Sequence, residues 1–333
     1  MIAVLLVVVF AISLRMTGLL RRYALTRSLM DIPNERSAHS VPTPRGGGVA
    51  IVAAFLLALP GLAFAGLFSL HSLYAFGGGG ALIAVVGFAD DHGHIAARWR
   101  LLGHFFAAVW VLIWLGGIAP VEFMGEVLKL GWAGLVIGTF FLVWMLNLYN
   151  FMDGIDGLAS VEALTVCLGM CLIYWMLGVA DLIWAPLMLA GAVAGFLWWN
   201  FPPARIFMGD AGSGFLGLTL SSMALLAAWS EPALLWSWLV LLAVFIVDAT
   251  FTLGWRLIRG DKVYQAHSSH AYQHAARRWG HKRVTVIVGL INIFYLLPIS
   301  MLVAFDYVNG LAGIFLAYTP LLCAASLLKA GRA

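Results

Sequence analysis

The stretch WAGLVIGTFFLVWMLNLYNFMDGIDGLASVEALTVCLGMCLIYWML, residues 132–177, indicates the fold class. Two apolar runs lie on either side of a short polar segment that contains Asp153 and Asp156. Each run has about 20 residues, which is the length that an α-helix needs to cross the hydrocarbon core of a bilayer. The stretch therefore predicts two membrane-spanning helices joined by a short loop that carries two carboxylates.

The rest of the chain has the same character. Of its 333 residues, 63% are hydrophobic and 10% are charged, which excludes a water-soluble globular protein. We predict an all-α polytopic transmembrane helix bundle that forms one integral-membrane domain over residues 1–333, with about 11 spans and about 10 as the alternative count. The predicted spans are centred near Phe10, Phe55, Ile83, Trp110, Val136, Cys167, Ala190, Leu220, Leu241, Leu290 and Phe315.

The basic residues predict the orientation of the bundle. Short loops rich in Lys and Arg stay in the cytoplasm, and a periplasmic N-terminus places the basic loop residues on the cytoplasmic side, except Lys129.

The apolar start of the chain lacks a basic n-region, so we expect a retained first helix and not a signal peptide. The three cysteines lie inside apolar stretches, which favours buried hydrophobic side chains over a disulfide framework.

Six of the fifteen acidic residues lie at the edges of the predicted spans: Asp90, Asp91, Asp153, Asp156, Asp210 and Asp248. Ionisable residues inside or at the edge of a membrane segment are costly and usually functional. In the predicted orientation, the loops that carry Asp90, Asp91, Asp153, Asp156 and Asp210 lie on the same cytoplasmic face as the histidine-rich segment near His270. This shared location indicates a functional site there.

The segment GFADDHGHIAARWR, residues 87–100, ends an apolar helix with two adjacent carboxylates. One of Asp90 and Asp91 can hold a metal ion or a proton while its neighbour organises the surroundings. The alternative is solvation of a helix end, with charge pairing between the acids and Arg98 and Arg100.

The segment NLYNFMDGIDGLAS, residues 147–160, has a dense set of oxygen ligands. Asp153 and Asp156 are three residues apart, which places them on one side of a helical turn, and Asn147 and Asn150 precede them by about one turn. A glycine after each acid lets a ligand approach the backbone. A polar turn between two helices is the less favoured alternative.

The segment FPPARIFMGDAGSGFLG, residues 201–217, places Asp210 at a break between two spans. A helix that begins after this break presents free backbone amides and a positive dipole end to an anion. An acid beside such amides suits a phosphate group bridged by a hard cation. The segment is not a Walker loop, because no Gly-Lys-Ser/Thr follows.

Two further polar loops complete the set. The segment HSSHAYQH carries His267, His270 and His274, for which a zinc site, phosphate binding and a solvated surface loop remain alternatives. The first cytoplasmic loop combines basic side chains with stiffening prolines and a Gly46-Gly47-Gly48 run. It can approach a ligand, or its basic residues can serve only to set the membrane topology.

Together, these segments favour Mg²⁺-dependent phosphoryl transfer between a water-soluble donor and a lipid acceptor. A secondary transporter is the competing hypothesis, although its acids would lie near the bilayer midplane.

The order of the motifs PTPRGGG, GFADD, NFMDGIDGLAS, PPARIFMGDAGSGFLG and HSSHAYQ resembles the polyprenyl-phosphate N-acetylhexosamine-1-phosphate transferase family, glycosyltransferase family 4. The resemblance spans the whole chain and is greatest to bacterial enzymes that initiate O-antigen synthesis on undecaprenyl phosphate. The histidine motif matches only in part, since family members often carry a His-x-His-His cluster where this chain has His270, Tyr272 and Gln273.

The resemblance implies transfer of a sugar 1-phosphate from a UDP-N-acetylhexosamine to undecaprenyl phosphate, with release of UMP. The sugar is expected to be a 6-deoxy sugar such as FucNAc or QuiNAc, or GlcNAc. The resemblance further implies Mg²⁺ as cofactor with Mn²⁺ as an alternative, contact with membrane lipid, no nucleic-acid partner, and a homodimer as one option for the assembly. The location implied is the bacterial inner membrane, with the active site facing the cytoplasm.

The resemblance also implies roles for individual residues. Asp210, Asp91 and Asp156 are expected to bind the metal ion. The catalytic residues are expected to be Asp90, Asp91, Asp153, Asp156 and His270, with Asp90 or Asp91 acting on the acceptor phosphate. The substrate-binding residues are expected to be Arg36, His39, Arg45, Arg98, Arg100, Asn147, Asn150 and His267.

Overall fold

The computed structural model describes residues 2–33, 41–93, 95–123, 126–262 and 267–332. These residues form fourteen α-helices: α1 Ile2–Thr26, α2 Val49–Phe64, α3 Leu70–Gly93, α4 Ala97–Leu115, α5 Gly131–Met152, α6 Leu158–Leu177, α7 Trp184–Asn200, α8 Asp210–Ala227, α9 Ala233–Leu241, α10 Ala243–Ile258, α11 Ala271–Trp279, α12 His281–Ile291, α13 Leu297–Ala304 and α14 Gly310–Leu327. A 3-10 turn, Ala180–Leu182, precedes α7, and a π-helical turn, Asn292–Leu296, joins α12 to α13.

Two small antiparallel strand pairs lie in the loops. Strands β1, Met30–Asp31, and β2, Thr43–Pro44, pair with Met30 opposite Pro44. Strands β3, Val121–Phe123, and β4, Glu126–Leu128, pair between α4 and α5. The pairing of β1 with β2 brings the two ends of the first loop together, so that the residues after β2 can approach the bundle.

The predicted all-α polytopic bundle is confirmed, and each of the eleven predicted centres falls within a helix. Among the described residues, eight helical segments are long and apolar enough to cross a membrane. The count is nine if α9 and α10, which meet at a bend of 71°, form one broken span. The shorter α2 has 16 residues, and α8 is not among the eight. The total of about eleven spans and their orientation stay predictions.

Helix α8 lies at the centre of the bundle, where it packs against α3 and α5. Nearly all of its residues are buried, although it contains several Gly and Ser residues. Small residues let transmembrane helices approach closely. A Cβ atom on Gly217 would lie 2.6 Å from the carbonyl oxygen of Met145 in α5, and one on Gly87 of α3 would lie 2.5 Å from the Cα atom of Ala211. The small residues at these contacts therefore allow α8 to occupy its central position.

The loop after β2 is attached to the segment that leads into α8. The amides of Gly47 and Gly48 donate to the carbonyl oxygens of Phe207 (2.9 Å) and Met208 (2.8 Å). The Phe207 amide donates in turn to the carbonyl oxygen of Pro44 (2.8 Å). These bonds place the Gly46-Gly47-Gly48 run directly beside Asp210. Contact of this run with a ligand is one of the two predictions for the loop.

The packing of Gly87 can be tested with a pair of variants in one helix. In Gly87→Ala the added methyl meets the backbone of α8, so we expect a loss of about 1–3 kcal/mol of stability from overpacking. The control is Gly77→Ala, also in α3, where a Cβ atom has no neighbour within 4 Å. Unfolding midpoints of the purified proteins in detergent should be lower for Gly87→Ala and unchanged or higher for Gly77→Ala. Equal midpoints would contradict the close approach of α3 and α8.

Candidate active site

The ends of several helices meet at one pocket of about 160 Å³. Its wall comes from the region of β1 and β2, from α3, from the loop after α5, from the segment before α8 and from the start of α12. The ionisable side chains in the wall are Asp31, Arg45, Asp91, Asp153, Asp156, Asp210 and His281. Four of the six predicted acids thus line one pocket. Asp31, which the motif analysis did not select, adds a fifth carboxylate.

Asp91 joins the acid pair of α3 to the beginning of α8. Its carboxylate oxygens accept from the amides of Asp210 (3.3 Å) and Ala211 (3.5 Å), so the carboxylate faces the positive end of the α8 dipole. The Arg45 guanidinium donates to the backbone carbonyl of Asp91 (2.6 Å). Asp91 is 5% exposed, so these contacts fix its position among three parts of the chain.

Asp90 has a different environment, although it is the next residue. Its side chain pairs with Arg100 and accepts from the Ile95 amide (2.8 Å). Arg100 also lies 3.5 Å from Asp210 and bridges the two carboxylates. The charge pairing considered as an alternative for this segment therefore occurs between Asp90 and Arg100. Asp90 is beside the pocket wall and not part of it.

Asp210 is held from the side of α5 by Asn150, whose Nδ2 donates to the carboxylate (2.9 Å) and to Ser213 Oγ (2.9 Å). Asn147, one turn earlier, has its Nδ2 3.3 Å from His104 Nδ1. A small inner cavity of about 30 Å³ lies behind Asp210, and the side chains of Arg100, His104, Asn147 and Asn150 line it. The two predicted asparagines are thus both near Asp210, one in the pocket and one behind it.

The loop after α5 carries Asp153 and Asp156. Asp153 ends α5 and is half-buried in the pocket. Burial, together with the neighbouring carboxylates of Asp210, Asp91 and Asp156, holds the pKa of Asp153 well above its usual range. Among the described residues, the pocket wall has five carboxylates and one arginine, Arg45. Such a set fits a divalent cation or a cation-bound phosphate.

Asp156 is oriented by groups on both sides. Its Oδ2 accepts from the Ala204 amide (3.0 Å), and its Oδ1 lies 3.2 Å from His281 Nδ1. Gly157 follows in the left-handed region with φ of +72°, and its amide donates to Asn200 Oδ1 (3.1 Å). A residue with a Cβ atom is strained in that conformation, which explains the second glycine of the motif.

The predicted metal ligands Asp91, Asp156 and Asp210 share this pocket without forming a ready-made triad. In the part of the chain that the structure describes, no group of three or more His, Cys, Asp or Glu side chains is arranged to hold a metal ion. The same finding gives no support to a zinc site of His267, His270 and His274. Mg²⁺ needs only one or two carboxylates when substrate phosphates and waters complete its shell. The pocket therefore fits a cation that arrives with a phosphorylated substrate.

His270 lies behind the pocket and not in its wall. Its side chain is 2% exposed, and its Nδ1 lies 3.3 Å from Asp248 Oδ1. Asp248 also accepts from the amides of Ala271 (2.9 Å) and Tyr272 (2.8 Å) at the start of α11. The Tyr272 hydroxyl donates to the carbonyl of Phe151 (2.9 Å). The histidine motif thus supports the end of α5 from behind, and the sixth predicted acid, Asp248, holds that motif in place.

The remaining predicted residues have varied positions. The ring of His267 stacks on that of His270 with centroids 4.8 Å apart. Burial, with the charges of His270 and Arg256, lowers the pKa of His267 to about 4, so its imidazole is neutral at pH 7.

Arg98 lies over the ring of Trp99, 5.7 Å from its centroid, and does not line the pocket. Arg36 and His39 lie outside the described residues.

His281, like Asp31, is a pocket residue that sequence reasoning missed. It is the first residue of α12, directly after Gly280 with φ of +80°. The glycine followed by a helical pattern is the local signal that could have indicated a helix start there. The contact with Asp156 could not be predicted, because the two residues are far apart in the chain.

The anchoring role of Asp248 predicts a large effect on stability. Asp248→Ala leaves the buried amides of Ala271 and Tyr272 without an acceptor, and each unsatisfied group costs about 1–3 kcal/mol. Asp261→Ala is the control, since Asp261 is exposed and its pair with Arg256 is 3.8 Å long; such a pair contributes less than about 1 kcal/mol. Unfolding midpoints in detergent should fall clearly for Asp248→Ala alone. Equal shifts in both variants would refute the anchor.

Comparison with known proteins identifies the family of the chain. Residues 73–228 match the family model described as glycosyl transferase family 4. A probable undecaprenyl-phosphate N-acetylglucosaminyl 1-phosphate transferase of Bacillus subtilis is 29% identical over 87% of this chain and 82% of its own length. The decaprenyl-phosphate N-acetylglucosaminephosphotransferase of Mycolicibacterium smegmatis is 31% identical over 79% of this chain and 73% of its own length. A protein of the same description from Mycobacterium tuberculosis H37Rv is 31% identical over 82% of this chain and 76% of its own length. The chain therefore belongs to the polyprenyl-phosphate N-acetylhexosamine-1-phosphate transferase family, as its motifs predicted.

Proposed function

We propose that the protein transfers an N-acetylhexosamine 1-phosphate from a UDP-sugar to undecaprenyl phosphate and releases UMP. The main support for the proposal is the acidic pocket described above, which a small inner cavity connects to an apolar groove. A water-soluble nucleotide sugar and a membrane lipid need two such environments side by side. The family supports sugar-phosphate transfer to a polyprenyl phosphate, and the pocket and groove support the finer statement.

The donor fits the acidic pocket only together with a cation, because its pyrophosphate is itself an anion. Asp210, Asp91 and Asp156 are the residues proposed to hold Mg²⁺, with Mn²⁺ as the alternative ion, and Asp153 adds its carboxylate from the same wall. The ion, when bound, would offset the charge that develops on the pyrophosphate oxygens. Arg45 supplies a positive charge at the edge of the same pocket.

The acceptor fits an apolar groove of about 500 Å³ between α4, α5 and α10. Its wall consists mainly of apolar side chains, among them Leu101, Phe140, Trp144, Leu253 and Leu257. Asn147 and Phe151 line both this groove and the small inner cavity, and Asn150 and Asp210 line both that cavity and the acidic pocket. A prenyl chain in the groove would thus direct its phosphate towards Arg100 and Asp210.

The proposed reaction needs no general base. The acceptor phosphate has a second pKa of about 6, by analogy with a phosphorylated side chain, so it is already ionised near pH 7. Its oxygen attacks the β-phosphorus of the UDP-sugar, and the bond from that phosphorus to the bridging oxygen breaks as UMP leaves. Asp90 is paired with Arg100, and Asp91 with the amides of α8. Both acids are therefore proposed to position these groups and not to remove a proton.

The most specific part of the proposal concerns the identity of the donor sugar and the biological role of the product. The names of the relatives specify N-acetylglucosamine, whereas the motif resemblance favours a 6-deoxy sugar such as FucNAc or QuiNAc. We propose initiation of O-antigen assembly at the bacterial inner membrane, with the acidic pocket facing the cytoplasm. A panel of UDP-N-acetylhexosamines given to the purified protein would identify the sugar by the highest kcat/KM.

The central test is release of UMP from a UDP-N-acetylhexosamine by purified protein with undecaprenyl phosphate. We expect release to require Mg²⁺ or Mn²⁺, to stop with EDTA, and to fall at least about 100-fold in Asp210→Asn, as on removal of a group that stabilises developing charge. The control is Asp181→Asn, in the turn between α6 and α7 away from the pocket, which should keep the wild-type rate. Metal-independent release, or full activity in Asp210→Asn, would contradict the proposal.

The apolar groove gives a separate test of acceptor binding. A Cβ atom on Gly254, in the groove wall, has no neighbour within 4 Å, so Gly254→Leu should fill the groove without disturbing the fold. We expect the KM for undecaprenyl phosphate to rise about 10-fold, which corresponds to about 1.4 kcal/mol of lost binding, while the KM for the UDP-sugar stays unchanged. Gly77→Leu, another open position, is the control. An unchanged acceptor KM would place the lipid elsewhere.

A further inference from the structure

One face of α12 is directed at α6 and at the loop that carries Asp156. His281 and Thr285 are about one helical turn apart, and Asn292, directly after α12, follows about two turns later on the same side. His281 contacts the Asp156 side chain, Thr285 Oγ1 donates to the Asp156 carbonyl (2.8 Å), and Asn292 Nδ2 donates to Glu162 Oε2 (2.7 Å). Helix α12 therefore holds both the backbone and the carboxylate of Asp156 from one side.

The contact between His281 and Asp156 is shielded from solvent. Their side chains are 19% and 13% exposed, and Nδ1 is 3.2 Å from Oδ1. The other carboxylate oxygen is held by the Ala204 amide on the opposite side. A carboxylate with a partner on each oxygen has a defined orientation, and hydrogen bonds to a charged group are stronger than neutral ones. Loss of the imidazole would remove this contact to Oδ1, whereas the contacts of Asp156 with the Ala204 amide and with Thr285 do not involve the imidazole.

The position of this pair within the site indicates which substrate it affects. His281 and Asp156 line the acidic pocket, but neither lines the inner cavity with Arg100 or the apolar groove. They thus lie on the side of the pocket away from the proposed acceptor route. An effect on Asp156 should therefore appear in binding of the water-soluble substrate and not in binding of the lipid.

We propose that His281 is a positioning residue that orients Asp156 for the nucleotide sugar and so determines the affinity for the donor. The inference rests on the proposed function, because it assigns the donor to this pocket. It adds a residue from the start of α12 to a site otherwise built from the aspartate motifs. The imidazole acts through Asp156, and its Nδ1 is the atom that performs this role.

Three substitutions at residue 281 separate the role of this atom from that of the side chain as a whole. Asparagine places an amide nitrogen near the position of Nδ1, glutamine places one near Nε2, and leucine removes both. We expect His281→Leu to raise the KM for the best UDP-sugar of the panel about 10-fold, within the range for loss of a hydrogen bond to a charged group. The KM for undecaprenyl phosphate should stay within about twofold of wild type, a change too small to signify lost binding. His281→Asn should restore most of the donor affinity, and His281→Gln should not.

The measurements are UMP release with each substrate varied in turn, and calorimetric titration of the protein with UMP in the presence of Mg²⁺. The control is His71→Leu, because His71 is exposed at the start of α3, where its ring faces Trp114 at 6.0 Å. If His281→Leu does not fold, the comparison of the Asn and Gln variants decides the matter. The inference is overturned by an unchanged donor KM in His281→Leu, by equal effects of Asn and Gln, or by a change confined to the acceptor KM. Absence of UMP release from wild type with any donor would instead refute the proposed function, and the inference with it.

Discussion

The site depends on the close approach of the start of α8 to α3 and to the loop after β2. Gly87 of α3 and Gly48 of the loop both lie against the backbone of α8, so that a Cβ atom on either would be 2.5 Å from a backbone atom of that helix. This proximity lets the Asp91 carboxylate reach the first amides of α8. It also places Asp210, the first residue of α8, beside the loop after α5. A larger residue at either glycine would collide with the backbone of α8 at this contact.

The structure divides the acids at the membrane edge into two groups. Asp90 and Asp248 are neutralised by protein partners, Arg100 in one case and the start of α11 with His270 in the other. Asp153 and Asp210 lie in a pocket whose described wall has five carboxylates and one arginine, although Arg100 also lies 3.5 Å from Asp210. Closely spaced carboxylates of this kind can bind a cation. The first group therefore serves the architecture, and the second is the reason to expect a phosphorylated, cation-bound substrate.

A transferase that joins a soluble donor to a lipid has to bring a charged and an apolar environment together at the membrane surface. Here the polar pocket and the apolar groove of α4, α5 and α10 are separated by a cavity of only about 30 Å³. Helix α5 contributes to all three, since Asn147 and Phe151 line the groove and the cavity, and Asn150 lines the cavity and the pocket. The same helix carries Asp153 at its end, and the histidine motif supports that end from behind. Helix α5 is thus the element that would align the proposed sites for the lipid, the phosphate and the nucleotide.

The amino-acid sequence alone predicts the class of the fold, a helix at each of the eleven span centres, and the family. These features depend on local patterns, since a run of apolar residues predicts a span wherever it occurs and the order of the acid motifs identifies the family. The motifs also identified five of the seven ionisable residues of the pocket wall, namely Asp91, Asp153, Asp156, Asp210 and Arg45. The packing of the helices was needed to show that Asp90 is paired with Arg100, that His270 lies behind the pocket and that His281 lies in its wall. Those outcomes depend on which helices pack together, as α6 does with α12 and α10 with α11. The physical reason is that a helix end has the same sequence signature whether its side chains meet a substrate or another helix.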